Sequence, residues 1–156
     1  MIVGYSTGSP LAEEWKIDIE NGMCNGPYLI RQPDQIGMTW NGEPEAITRL
    51  YKGFSPMLPF VLEKLGISKD KINELINSNA LEIPMVISSM PIQDAIDLSN
   101  FLVDTTIKFS KYAPGPSTVG GPIEIAVITK HEGFKWVKRK HYYDIEINPK
   151  MEDDIC

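Results

Sequence analysis

"GPSTVGGPIEIAVIT", residues 115–129, sets a Pro/Gly hinge and a glycine pair directly against a run of strand-forming residues. "IEIAVIT" is apolar at nearly every position, the pattern of a strand covered on both faces rather than one that meets water at alternate residues. A phosphate cradle needs glycines whose N–H groups converge at the start of a helix, with Lys and Ser or Thr following. Here Gly120 and Gly121 lead into a strand and no such Lys follows. The pair reads as a corner of the fold, with close approach of a neighbouring backbone as the reason for glycine at both positions.

Upstream, "PIQDAIDLSNFLVDTTIKFSKYA", residues 91–113, predicts the longest helix. Pro91 suits a first turn, Asp94 follows it, and Ala95, Leu98, Leu102, Thr105 and Phe109 recur three and four apart. That stripe needs a partner, and "IEIAVIT" is the expected one. Downstream, "KHEG" turns the chain and "FKWVKRK" returns beside it, with Phe134 and Trp136 on one face and Lys135 and Val137 on the other.

At the amino end, "MIVGYS" and "EEWKIDIENG" predict two strands joined at Gly8-Ser9-Pro10, and Asn21-Gly22 closes the second as a hairpin turn would. "PYLIRQPDQIGMTW" continues as extended chain broken at Pro33. Ala46, Ile47, Leu50 and Tyr51 then fall at helical spacing, with Asn41 or Gly42 to start the helix and Gly53 to stop it. A short helix is expected at "PFVLEKLG", a second at "KDKINELINS" behind Ser68 as N-cap, with Ile72, Leu75 and Ile76 inward, and an extended piece at "LEIPMVISS". The order of elements implies a layered α/β (α+β) fold with antiparallel sheet between helices.

The 156 residues suffice for one domain, taken as 1–150, ahead of an acidic tail at 151–156. A net charge of −6 argues against nucleic acid as a partner. No apolar run reaches the roughly 18 residues of a membrane span, and the amino end lacks the features of a signal peptide. Cys24 and Cys156 are the two cysteines, which gives neither a disulfide framework nor zinc spacing. A cytoplasmic protein without membrane partner, metal or cofactor is expected.

Three smaller motifs have simpler readings. "GYSTG", residues 4–8, satisfies the GxSxG pattern with Ser6 as nucleophile and His131 and His141 available. That motif requires strand, sharp turn and helix, whereas turn and strand follow here. "KWVKRKH", residues 135–141, mixes aromatic and basic side chains, and in an acidic chain reads first as a solvated strand face. Cys24, in "NGMCNG", lies between two Asn-Gly turns.

Taken together, "SMPIQDAIDLSNFLVDTTIKFS" and "STVGGPIEIAVITKHEGFKW" resemble the final helix and hairpin of proteasome β-type subunits and their bacterial relatives. In that family a long helix enters a Ser-x-Ser-Gly-Gly corner, then an apolar strand, then a glycine-containing hairpin. "IVGYSTGSPLAEEWKIDIENG" resembles the family's preceding paired strands, and "GMTWNGEPEAITRL" its Thr-Gly-Ser-Gly-Ser turn before a helix. The likeness covers residues 1–53 and 89–140, which makes 54–88 an insertion. It implies the four-layer αββα sandwich of amino-terminal-nucleophile (Ntn) hydrolases, built here without its first strands. It also implies a hydrolase of amide or peptide bonds as the complete parent, with peptide as substrate and related subunits or further copies in a ring-like assembly.

The family's nucleophile is a Thr, Ser or Cys exposed as residue one, with its own amine as base. The strands that carry it, its Lys and acidic partner, and the oxyanion glycine have no counterpart in this sequence. Of the supporting positions, the serine of the turn corresponds to Asn41, the acid of the corner to Pro116, the first corner serine to Ser117 and the second to Val119. The resemblance therefore implies a chain that is inactive by itself, with Asn41 and Ser117 as residual supporting groups and Gly120 and Gly121 as the structural corner. A non-catalytic assembly or binding subunit is the alternative, and a serine esterase using Ser6 a third.

Overall fold

The computed structural model describes residues 1–140. His141 and the acidic tail at 151–156 lie outside the described residues. The described residues are mixed α+β, with four helices and two small antiparallel sheets.

Strands β1 (Ile2–Gly4), β2 (Glu13–Glu20) and β3 (Met23–Leu29) form one sheet in that order. Asn21 and Gly22 turn between β2 and β3 with φ of 52° and 77°, the positive pair that a two-residue hairpin with the right twist requires. Asn25-Gly26, expected as a second turn, lies instead inside β3. Lys16 pairs with Tyr28 and Asp18 with Asn25, so β3 carries an extra residue there and bulges. Cys24 is consequently an exposed strand residue opposite Ile19.

The segment after β3 is tied back to the sheet by Arg31, which meets Glu14 at 3.0 Å and also donates to Thr39 Oγ1. Thr39 in turn donates to Glu14 at 3.2 Å. Trp40 then packs edge to face on Tyr51, with centroids 5.7 Å apart, where α1 (Glu45–Lys52) begins its contact with the loop. Pro44 caps α1, later than the expected Asn41 or Gly42, and Gly53 ends it with φ 76°. A Cβ on Gly53 would stand 3.2 Å from the Leu81 carbonyl oxygen.

Helices α2 (Leu58–Lys64) and α3 (Lys69–Asn77) leave and return at one place. The Ile83 N–H donates to the Tyr51 carbonyl at 3.0 Å, and Lys52 meets Glu82 at 3.3 Å. Residues 54–82 are thus an excursion from the end of α1. Ser68 holds the N-cap position of α3 in extended conformation but makes no side-chain cap bond. The "LEIPMVISS" stretch contains no strand.

Helix α4 (Ile92–Tyr112) follows Pro91, which sits at the N-cap rather than in the first turn. Its buried residues are Leu102, Thr106 and Ser110, four apart along one line. The expected stripe is turned by part of a residue step: Ala95 and Phe109 are exposed. The reason is the neighbour. Helix α4 packs more broadly on α1 than on the strand that follows it, so its inward line is set by Ala46 and Ile47 of α1.

Strands β4 (Ile125–Thr129) and β5 (Gly133–Lys138) form a separate two-stranded sheet. Burial along β4 alternates, with Ile125, Val127 and Thr129 half-buried and Ala126 and Ile128 exposed. The expectation of a strand covered on both faces is corrected: α4 covers one face. Ala126 pairs with Trp136 and Ile128 with Phe134, so the other face presents four apolar side chains, exposed among the described residues except that the Arg139 guanidinium lies over the Trp136 ring at 5.3 Å. Gly120 and Gly121 also differ from expectation. Neither has an atom within 4 Å of where a Cβ would lie, so no close approach demands glycine there. Gly121 is required by its φ of 95°; Gly120 has no such need.

Candidate functional site

Two loops distant in sequence meet over α4. The 38–43 segment, held by Arg31 and Thr39 from one side and by the Trp40–Tyr51 contact from the other, runs beside the 117–119 corner. Between them lies an open cleft of about 450 Å³ whose walls include Trp40, Asn41, Leu102, Thr106 and Val119. Asn41 and Val119, both singled out by resemblance, therefore border the same space.

The corner is fastened by hydroxyls. The Thr118 N–H donates to Ser110 Oγ at 3.1 Å, and the Ser110 and Thr118 hydroxyls lie 3.3 Å apart. Ser117 Oγ donates to the Val119 carbonyl at 3.0 Å and stands 3.5 Å from Ser110 Oγ. Thr118 reaches Glu43 across the cleft at 3.5 Å, which ties the corner to the loop before α1. Ser110 is buried, and with Thr106 it gives α4 a polar end.

These hydroxyls hold backbone. Each has a carbonyl, N–H or second hydroxyl as partner, and no Lys, His or amine among the described residues makes a hydrogen bond to them. A serine without a base within reach is a poor nucleophile at neutral pH. Pro116, which the resemblance sets at the position of an acid, offers neither charge nor a donor.

Ser117 does not line the cleft; it meets the Val119 carbonyl and Ser110 Oγ, and its role here is structural. Glu43, Ser110 and Thr118 complete the cluster and were not singled out in the sequence. Ser110 had one legible signal: it is a hydroxyl in the last turn of the predicted helix, four residues before the Pro114-Gly115 hinge. A buried hydroxyl at a helix end has to find a backbone partner.

The other candidates stand apart. Ser6 Oγ donates to Glu13 Oε2 at 2.9 Å in the turn between β1 and β2, with no helix after it, so the context of a nucleophile elbow is missing. Trp15 Nε1 donates to the same oxygen at 2.9 Å, and the two bonds, that from Trp15 first, hold the Glu13 carboxyl below the ordinary glutamate range. His131 is exposed in the β4–β5 turn. Among the described residues no cluster of His, Cys, Asp and Glu could hold a metal, and no helix is long and apolar enough to cross a membrane.

No protein family, curated relative or solved structure matches this chain.

Proposed function

We propose that this chain is the carboxy-terminal portion, or a truncated relative, of a proteasome-like Ntn-hydrolase subunit. In this reading the complete parent cleaves amide or peptide bonds, and the 156 residues alone are inactive. One observation carries it: among the described residues the β4–β5 sheet has a helix on one face and an apolar, open face on the other. In a four-layer αββα sandwich each sheet has one face toward helices and one toward the second sheet. Ala126, Ile128, Phe134 and Trp136 have the composition of that inner face.

The first sheet adds to this support. Ile2, Trp15 and Leu29 lie across one another on one face, which continues through Ile17 and Ile19; Ile19 is 74% exposed. Two sheets each expose an apolar face, and each large side chain covered would contribute roughly 1.5–3 kcal/mol if buried in full. The shared cleft bordered by Asn41 and Val119 also supports the reading, since the resemblance assigns both positions to supporting polar groups. In the parent, a hydroxyl or thiol at residue one would attack the amide carbonyl, with its amine as base. The surviving chain supplies the corner and the helix beneath it.

The altered corner favours a second reading, a non-catalytic subunit that retains the sandwich for contacts within a ring. Asn41, Pro116 and Val119 lack the hydroxyls and carboxylate of the family's pattern. A peptide-like electrophile that reacts only with an amino-terminal hydroxyl or thiol separates the two. Applied to the native protein that carries this sequence, it is expected to label a Thr, Ser or Cys outside residues 1–156 and to leave Ser6 unmodified. A native protein with no such residue and no amidase activity overturns the enzymatic reading.

A further inference from the structure

We infer that the open edge of β4 pairs with β4 of a second copy, antiparallel and centred on Val127, so that two hairpins join as one four-stranded sheet. Strand β4 has β5 on one side and no strand on the other among the described residues. Residues Ile123 through Thr129 all border a groove of about 540 Å³ whose other walls include Tyr5 and Ala95 and Ser99 of α4. A strand viewed from its face shows alternate residues; consecutive ones are shown by its edge. Two of the usual edge defences are missing, since Ile125–Thr129 contains no Pro and no charged residue, and the bulge at Ile125/Ala126 puts its extra residue, Val137, on β5 rather than on the open edge.

Charge selects the occupant and its register. Pairing about Val127 sets Ile125 against Thr129 of the second copy, Ala126 against Ile128, and Glu124 against Lys130. By symmetry the opposite-charge pair occurs twice. Both residues are exposed; among the described residues Lys130 makes no ion pair, and Glu124 uses one oxygen to accept the Lys140 N–H at 3.0 Å. A slip of the register by two toward the turn would place Glu124 against Glu132, and a parallel pairing in register would set Lys130 against Lys130. Like charges directly opposite oppose pairing. The joined sheet would also run Ala126 and Ile128 of both copies into one apolar surface with Phe134 and Trp136.

The inference stands on the chain itself. Strands supplied by a complete parent would take the same edge and displace the second copy. The test uses the 156-residue chain with Cys24→Ser and Cys156→Ser, carrying either Val127→Cys or Thr129→Cys. Across the two-fold axis the Val127 Cα atoms would stand about 4.5–5.5 Å apart, within disulfide reach. The two Thr129 positions would be about 13 Å apart. Oxidation is expected to link the Val127 variant into a dimer and leave the Thr129 variant unlinked.

In parallel, Glu124→Lys or Lys130→Glu alone should weaken the dimer about tenfold by sedimentation, and the double reversal should restore it. These exposed changes spare the fold, which far-UV circular dichroism checks. A chain that stays monomeric at every concentration, equal cross-linking through the two cysteines, or reversals without rescue would overturn the inference. A dimer that persists after the parent's strands are added would leave it standing and count against the proposed function.

Discussion

Phe134 and Trp136 meet edge to face on β5, with ring centroids 5.2 Å apart and ring planes at 90°, yet they are 54% and 48% exposed. An aromatic pair of this geometry usually belongs to an interior. Here it forms the middle of an open sheet face. Trp136→Thr should remove the ring contact, at a cost of about 0.5–1.5 kcal/mol in urea denaturation, and should lower the binding of a hydrophobic dye clearly. A loss of several kcal/mol would mean that the face is already covered.

The two corner glycines should behave differently. Gly121 has φ 95° and open space around it, so Gly121→Ala costs about 1 kcal/mol through backbone conformation alone. Gly120→Ala meets no atom within 4 Å and no positive φ, and should be neutral or slightly stabilising. Thermal melts of the two variants check this, and equal losses would restore the close-approach reading rejected above.

Ser110 is the clasp of the corner. Replacing it with Ala removes the acceptor for the Thr118 N–H and should cost about 1–3 kcal/mol, with faster amide exchange at Thr118 as the local signature. Unchanged stability with unchanged exchange would show that the corner is held by other contacts.

Acid should destabilise the chain. Ser55 Oγ donates to Glu45 Oε1 at 2.8 Å, and this bond is the main reason the carboxyl sits below the ordinary glutamate range. Burial works against it, and Arg49, with Nε at 2.7 Å, works with it. A carboxyl with a depressed folded value contributes stability above its unfolded value, about 4.3, and loses that contribution as the pH falls through the folded value. Glu13 acts with the same sign. Melting temperature should therefore fall with pH in that range, and Ser55→Ala should flatten the slope. An unchanged slope in the variant would remove Ser55 as the cause.

Much of the fold was legible because its signals are local. Asn21-Gly22 with flanking alternation marked the first hairpin, and the three- and four-residue spacing marked α4. Asn25-Gly26 misled because a dipeptide that suits a turn also suits a bulge, and only pairing across to Asp18 decides which. The inward line of α4 depended on α1, a neighbour 45 residues or so upstream that no periodicity names. "IEIAVIT" misled most. A largely apolar strand reports what the chain is built to contact, and among the described residues Ala126 and Ile128 remain exposed. At the site, Asn41 and Val119 were found through resemblance, whereas Glu43, Ser110 and Thr118 act through backbone geometry that side-chain spacing does not encode.

Amide exchange along Ile125–Thr129 tests the half-sandwich most directly, compared between the monomeric chain and the native protein that contains it. The account predicts rapid exchange at the outward-facing amides of β4 in the monomer and strong protection in the native protein, where a further strand covers them. Equal protection in both would contradict it, because the edge would then need nothing beyond these residues.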